Sequence, residues 1–408
     1  MQPTVRRQHP ETALRIAVAT ETYPPEINGV AHTVGLMVEA LLARGHSIEL
    51  LRPRQASERA KADETPSRQF ELRLTMGVRI PNYPDLQIGL IRTRRLVEAW
   101  SERRPDIVHV ITEGPLGWSA LRAARKLGIP VVSDFHTNFH DYSRHYGFGL
   151  IAGMVERYLR ALHNRCDCTI VPTREMRERL RTLGFERLAV VGRGIDTKLF
   201  SPDRRSAALR RSWHCADDTP VVLYVGRLAP EKNLRLFIDT VRAARWHRAD
   251  LRVVMVGDGP MGARLREENP DFLFAGMRRG EDLAAHYASA DVFLFPSLSE
   301  TFGNVTMEAL ASGLAVIAYD YAAAREHIVH GYNGLVAPCD DEIAFRRHAL
   351  RLCESGPEVH SLRLRARDTA ESQSWSKAFD CLETSLLSFA TKAGAAAPER
   401  VAQPLITD

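Results

Sequence analysis

From Arg15 onward, apolar and polar positions alternate in a way that spells out elements. A strand "RIAVAT" is followed by a loop "ETYPPEINGVA", a helix "HTVGLMVEALLARG" and a second strand "HSIELLRP". Short apolar runs rich in β-branched residues predict buried parallel strands, and the longer stretches between them carry apolar residues at helical spacing. The alternation recurs at "DIVHVI" (106–111), "PVVSDF" (130–135) and "CTIVP" (168–172), with "GWSALRAARKLG" and "TREMRERLRTLG" as helices that end in glycine. A turn-rich stretch carrying a proline, "RGIDTKLFSPDRR" (193–205), interrupts it. Beyond that point "PVVLYVG", "LRVVMVG", "FLFAG" and "DVFLFP" restart the pattern. Two consecutive α/β domains of the doubly wound kind follow. Residues 1–12 and the tail 393–408 read as disordered, and no tandem repeat is visible.

Length supports the division, since 408 residues exceed the roughly 100–200 that one domain usually holds. A hydrophobic content of 45% with 26% charged residues is that of a soluble globular protein. No apolar run approaches the ~20 residues of a membrane span, and "MQPTVRRQHPETALR" lacks the apolar core of a signal peptide, so a cytoplasmic location is expected. The 6 cysteines form no C-x-x-C pair; neither a disulfide framework nor a zinc site is favoured, and they read as small buried hydrophobes.

Charge separates the halves. Residues 1–200 carry 30 Lys and Arg against 22 Asp and Glu, whereas 201–408 carry 25 against 28. The excess gathers in "LIRTRRLVEAWSERR" (90–104) and "ERYLRALHNR" (156–165), where Leu, Ile and Trp stand among arginines. Such a stretch is either a solvated Arg-rich face or a surface for a membrane or anionic partner.

Candidate chemistry lies in the loops after strands, because open parallel sheets bind ligands beyond the carboxyl ends of their strands. In "INGVAHT", Gly29 lets backbone approach an anion at the start of a helix beginning near Val30. In "YVGRLAPEKN" (224–233), Arg227 and Lys232 follow a buried strand, two cations suited to one diphosphate. "PSLSETFGNVTMEALASG" (296–313) places Glu300 and Glu308 on either side of a turn. A carboxylate pair suggests a glycosidase at first sight. Gly303, Asn304 and Val305, however, stand at the first turn of a helix running to about Ser312, where free N–H groups and the dipole suit a phosphate. Both glutamates then read as acceptors for hydroxyls, Glu300 for a sugar ring and Glu308 for a ribose. The G-x-G of "VMVGDGPMG" is too common to weigh, and a G-x-G-x-x-G after the first strand, which a nicotinamide-dependent oxidoreductase requires, is missing.

"GRLAPEKN" followed by "SETFGNVTMEALASG", with "EHIVHGYNGLV" and "SWSKAFDCLETSLLSF", closely resembles the retaining glycosyltransferases of family 4 (group 1), over about residues 14–390. "ETYPPEINGVAHTV", "HVITEGPLGWSA", "DFHTNFHDYSRHYG" and "GRGIDTKLF" look like a subgroup that includes GDP-mannose-dependent α-mannosyltransferases, sulfolipid synthases and bacterial diacylglycerol glycosyltransferases. The resemblance implies an α/β GT-B fold, two Rossmann-like doubly wound domains facing a cleft: an acceptor domain over 13–198, a nucleotide-sugar domain over 199–373, and a helix over 374–392 returning to the first. By the same resemblance the catalytic set is His136, Arg227, Lys232 and Glu300. Arg227 and Lys232 bind the donor diphosphate and stabilise the leaving group, while Glu300 holds hexose hydroxyls and Glu308 the ribose. Phe302, Gly303, Asn304 and Val305 complete the donor-binding turn, Gly29 approaches the diphosphate, and His136 matches the family histidine that lies against the donor sugar.

What is implied for function is transfer of a hexose, with retention, from GDP-mannose, UDP-glucose or UDP-glucuronate to a membrane lipid such as diacylglycerol or a glycolipid. A soluble or polysaccharide-precursor acceptor, or epimerisation of a sugar nucleotide on the same fold, are the alternatives. The chain has no D-x-D, so no metal is expected, and no cofactor. The expected partners are the nucleotide sugar, a lipid or lipid-linked acceptor and an anionic membrane surface met by the basic first domain at the inner face of the cytoplasmic membrane, with no nucleic acid.

Overall fold

The two runs of alternation build two separate sheets. A computed structural model describes residues 13–26, 28–55, 69–80, 83–136, 149–216, 218–353 and 356–392; the two terminal segments expected to be disordered lie outside these. In the first sheet, β1 (Arg15–Ala19), β2 (Ser47–Pro53), β3 (Phe70–Ile80), β4 (Tyr83–Leu90), β5 (Ile107–Val110), β6 (Val131–Asp134), β7 (Cys168–Val171) and β8 (Leu188–Val190) run in the order β4-β3-β2-β1-β5-β6-β7-β8. All neighbours are parallel except β3 and β4, an antiparallel hairpin at one edge. Its helices are α1 (Gly29–Ala43), α2 (Thr93–Glu102), α3 (Pro115–Leu127), α4 (Gly149–His163) and α5 (Arg174–Thr182). Strand order reverses at β1, with β2 on one side and β5 on the other, so the loops after β1 and β5 flank the crevice of this half.

The second sheet is parallel throughout. Its strands β9 (Val221–Val225), β10 (Arg252–Val256), β11 (Leu273–Gly276), β12 (Val292–Phe295), β13 (Ala315–Tyr319) and β14 (Leu335–Ala337) take the order β11-β10-β9-β12-β13-β14. The helices of this half are α6 (Ala207–Ser212), α7 (Leu234–His247), α8 (Gly262–Glu268), α9 (Gly280–Ser289), α10 (Asn304–Ala311), α11 (Ala322–His327), α12 (Glu342–Cys353) and α13 (Pro357–Glu371). Here the order reverses between β9 and β12, whose following loops carry Arg227 with Lys232 and residues 296–304. The glycines of "VGDGP" have a packing reason: a Cβ at Gly257 would lie 1.9 Å from Gly226 O, and one at Gly259 would lie 2.5 Å from Leu228 O. That motif locks two adjacent strand-to-helix turns together by backbone contact.

The last helix, α14 (Trp375–Lys392), packs on the first sheet. Phe379, Leu382 and Leu386 join a buried cluster with Val34, Met37 and Val38 of α1, and Trp375 stacks on Phe379 at 5.2 Å between ring centroids. Arg44 reaches Asp380 at 2.9 Å and Glu383 at 3.0 Å, and His46 meets Glu383 at 3.0 Å. No described helix is long and apolar enough to cross a membrane.

Two expectations require correction. Leu96 and Trp100, set among the arginines of 90–104, face inward: both are buried, and Trp100 Nε1 donates to the buried Glu49 carboxylate at 3.1 Å. The amphipathic face of α2 is a core face packed beside α3, leaving arginines outside. In 156–165, Leu159 and Leu162 are likewise buried. The exposed apolar side chains near α2 belong instead to the hairpin, where Met76, Val78 and Leu90 are 71%, 45% and 41% exposed and Met76 pairs directly with Leu90. The cysteines also divide: Cys166, Cys168 and Cys353 are buried, but Cys339 and Cys381 are exposed.

Candidate active site

The cleft is built where the carboxyl ends of the two sheets meet. Gly303 holds a left-handed φ of 91°, open to glycine without strain, and this bend turns the loop after β12 into α10. The first turn of α10 leaves its leading N–H groups without helical partners. Asn304 at that turn faces the first half of the chain, where a Cβ on Gly29 would lie 3.7 Å from Asn304 Nδ2. That is an ordinary contact, so protein packing alone does not demand glycine at position 29.

Lys232 ends a 3-10 turn, Pro230–Lys232, ahead of α7. Its Nζ donates to Glu300 Oε1 at 2.5 Å and to Ser299 O at 3.2 Å, and Ser297 Oγ donates to the same Glu300 oxygen at 2.7 Å. Both bonds use Oε1; among the described residues no hydrogen bond engages Oε2. Arg227 behaves differently. Its side chain is 55% exposed and pairs with Glu231, while its backbone carbonyl accepts from Tyr224 OH at 3.1 Å. Lys232 and Glu300 are thus brought into contact, and Arg227 stands at the rim.

Glu308 lies one turn into α10, half-buried, and accepts from Tyr287 OH at 2.8 Å. Burial pushes its carboxyl up to about 7, with the Tyr287 hydrogen bond opposing. Val305 is half-buried on the same helix. Phe302 is 2% exposed; its ring packs edge-on to His327 at 6.0 Å and lies under the Arg193 guanidinium at 5.6 Å. Its ring therefore shapes the turn from beneath and offers a ligand no face.

His136 follows β6 with a side chain only 11% exposed. Nδ1 accepts from Arg193 Nη2 at 3.1 Å, Nε2 lies 3.4 Å from Asp134 Oδ2, and the backbone carbonyl accepts from Thr301 Oγ1 at 3.1 Å. Asp134 also meets His109 Nε2 at 2.7 Å. Burial opposes its charge, yet the two histidines hold its carboxyl well below the usual carboxylate range. The remainder of "DFHTNFHDYSRHYG", from residue 137, lies outside the described residues.

In the sequence the motif "GRGIDTKLF" marks no single residue as functional. The structure places Arg193 of that motif between the two halves, bonded to His136 and, through Nη1, to Asn304 Oδ1 at 3.3 Å. A lone arginine between glycines at the end of an α/β run was the available signal. Thr301 was missed as well, since a threonine in a loop has no pattern of its own.

The fold and this loop arrangement are those of two Rossmann-like α/β domains that face each other across a cleft. Residues 27–199 match glycosyltransferase family 4 and residues 219–355 match glycosyl transferases group 1. Over 333 residues the chain is 36% identical to a GDP-mannose-dependent alpha-mannosyltransferase of Mycobacterium tuberculosis, covering 80% of this chain and 84% of that one. It is 27% identical to an alpha-monoglucosyldiacylglycerol synthase of Streptococcus pneumoniae, over 75% of this chain and 71% of that one. Among solved structures, Anabaena Alr3699/HepE in complex with UDP superposes with a TM-score of 0.71 at 17% identity, covering 92% of this chain and 100% of that one, a likeness of fold. The chain belongs to glycosyltransferase family 4, with the GT-B fold, and is a glycosyltransferase.

Proposed function

We propose that this glycosyltransferase moves a hexose, with retention, from a nucleotide-diphosphate sugar onto a membrane lipid such as diacylglycerol or a glycolipid. The observation that carries the reading is the convergence in residues 297–304: Lys232 on Glu300, the opening of α10, and Thr301 in contact with His136 of the other half. The departing nucleoside diphosphate needs its developing charge stabilised rather than a proton, which suits Lys232, Arg227 at the rim and the N–H groups of Asn304 and Val305. Glu300 keeps Oε2 for a hexose hydroxyl, and Glu308 serves the ribose. His136 lines the sugar side through its backbone and ring edge, and Gly29 leaves room for the diphosphate opposite Asn304. Attack comes from the face the diphosphate leaves, whose oxygen takes the acceptor proton. In this reading the cations do the work a metal does in other transferases, residues 13–198 form the acceptor domain, 199–373 the donor domain, and 374–392 tie the two.

GDP-mannose is the first candidate donor because the mycobacterial relative is named for it, with UDP-glucose and UDP-glucuronate as competitors. A lipid acceptor is favoured by the name of the streptococcal relative, and the first half exposes both apolar side chains, Met76, Val78 and Leu90 on the β3–β4 hairpin, and arginines, Arg92, Arg94 and Arg95 at the start of α2. Such a surface suits peripheral attachment at the inner face of the cytoplasmic membrane. The test is transfer from each labelled donor, in excess chelator, to lipid vesicles or to water-soluble sugars. The expected product extracts into organic solvent and carries an α-linkage. Transfer confined to soluble acceptors would overturn the lipid reading, and a strict need for added magnesium or manganese would overturn the assignment of charge stabilisation to the cations.

A further inference from the structure

Arg193 lies in the segment that leaves β8, and it is the side chain through which the cleft is stitched. Nη2 donates to His136 Nδ1 at 3.1 Å, Nη1 donates to Asn304 Oδ1 at 3.3 Å, and the guanidinium lies 5.6 Å from the Phe302 ring centre. None of these three partners is an anion. Among the described residues no carboxylate comes within ion-pair distance of Arg193, in contrast to Lys232 with Glu300 and Arg227 with Glu231. Burial pulls its pKa down to about 10, against the influence of Asp134. A guanidinium with that value is still fully charged near neutrality, so a half-buried cation stands here, between the two halves, without a paired counter-charge.

Even half-buried, such a charge gives up part of its hydration with no carboxylate to replace it. The cost rises here because Asn304 opens α10, whose positive dipole end faces the same space. A cation and a helix N-terminus set together repel each other and attract the same thing, an anion. Phe302 beneath the guanidinium keeps its plane fixed, which suits forked recognition of two oxygens.

We propose that Arg193 is a third anion-binding residue for the donor, whose guanidinium exchanges its neutral partners for oxygens of the β-phosphate at the mouth of α10. This rests on the nucleotide-sugar reading above. Lys232 stands at Glu300 and Arg193 at Asn304, so the diphosphate is gripped from both ends of the 300–304 loop. Because Arg193 also touches His136, arrival of the phosphate releases the histidine ring edge toward the sugar.

The experiment measures binding of GDP and UDP, of the matching monophosphates, and of neutral-sugar and uronate donors to wild type, Arg193→Gln, Arg193→Lys and Lys232→Ala by calorimetry. Expected is a 10- to 100-fold loss of diphosphate affinity in Arg193→Gln, a change below about threefold for the monophosphate, and partial recovery in Arg193→Lys, whose point charge lacks the fork. A merely structural arginine would not separate diphosphate from monophosphate. Unchanged diphosphate affinity in Arg193→Gln, with Lys232→Ala weakened, overturns the inference and leaves the donor reading standing. If neither substitution matters, or wild type binds no nucleoside diphosphate, the donor reading itself falls and takes the inference with it. A loss seen only with the uronate donor also overturns it, by assigning Arg193 to a sugar carboxylate. Should Arg193→Gln fail to fold, Arg193→Lys decides alone: affinity equal to wild type overturns the inference, and a loss of threefold or more for the diphosphate only supports it.

Discussion

Glu308 sits where burial opposes the charge that its proposed role at the ribose uses. Its folded pKa of about 7 exceeds the ordinary 4.5, so between those values the folded protein holds a proton that the unfolded chain has lost. Stability from this group is therefore greatest at low pH, falls as pH rises through that window, and stays lower above about 7. Donor binding has the opposite slope, because a protonated carboxyl loses an acceptor for the ribose hydroxyls. The donor KM of wild type is expected to climb as pH drops from about 8 to about 6, whereas Glu308→Gln should show a KM raised about tenfold at the higher pH and little pH dependence. Steady-state kinetics across pH decides it: a slope that survives in Glu308→Gln assigns the titration elsewhere.

At the scale of elements, two short helices from opposite halves hold each other. The backbone N–H of Arg174, at the start of α5, donates to Glu326 of α11 at 2.7 Å. In return the N–H of Ala322, at the start of α11, donates to Glu175 of α5 at 2.9 Å, and Arg325 meets Glu175 at 3.4 Å. Ala322 holds a φ of 52°, a left-handed backbone that costs a residue with a Cβ about 1–2 kcal/mol, and this conformation aims its N–H across the gap. Carboxylates at helix N-termini contribute roughly 0.3–1 kcal/mol each when partly exposed. The double substitution Glu175→Gln and Glu326→Gln is expected to leave each half folded by circular dichroism but to widen the angle between them. Solution scattering should show a larger radius of gyration without ligand, and an unchanged radius would mean that the other ties between the halves, among them α14, Arg193 and the Thr301–His136 bond, suffice to hold the arrangement.

The whole molecule is electrically lopsided, with the excess of 30 basic over 22 acidic residues confined to its first half. Some of those arginines are committed: Arg103 pairs with Glu71 at 3.0 Å, and Arg104 binds the Leu127 carbonyl at 2.6 Å. If the proposed lipid acceptor is right, attraction to an anionic leaflet falls to exposed Arg92, Arg94 and Arg95, and apolar insertion to exposed Met76, Val78 and Leu90. Each cation near such a surface contributes about 1 kcal/mol at low salt. Sedimentation with vesicles should show binding to anionic lipid that weakens with salt. Replacing the three arginines by serine should reduce it, and so, independently, should Met76→Ser with Leu90→Ser. Loss on the arginine change with none on the hairpin change would mean that the hairpin stays out of the bilayer.

The sequence by itself determined the two α/β halves, because buried parallel strands must be apolar runs and their helices must show a helical period. It also put Lys232, Glu300 and Glu308 forward as candidates, because they lie in or just after loops that follow strands, and the structure brings Lys232 and Glu300 into contact. It could not show which way an amphipathic stretch faces: the Arg-rich, Trp-bearing run at 90–104 has one pattern whether Trp100 meets lipid or, as found, Glu49. The β3–β4 hairpin was not read at all. Its strands pair across a turn at one edge of the sheet, and pairing is a matter of partners rather than of local pattern. Tertiary structure alone decided that Arg193, 57 residues from His136 and 111 from Asn304, stands between them. Contacts at such separations are set by how two sheets close on each other, and no window of the chain contains both ends of the bond.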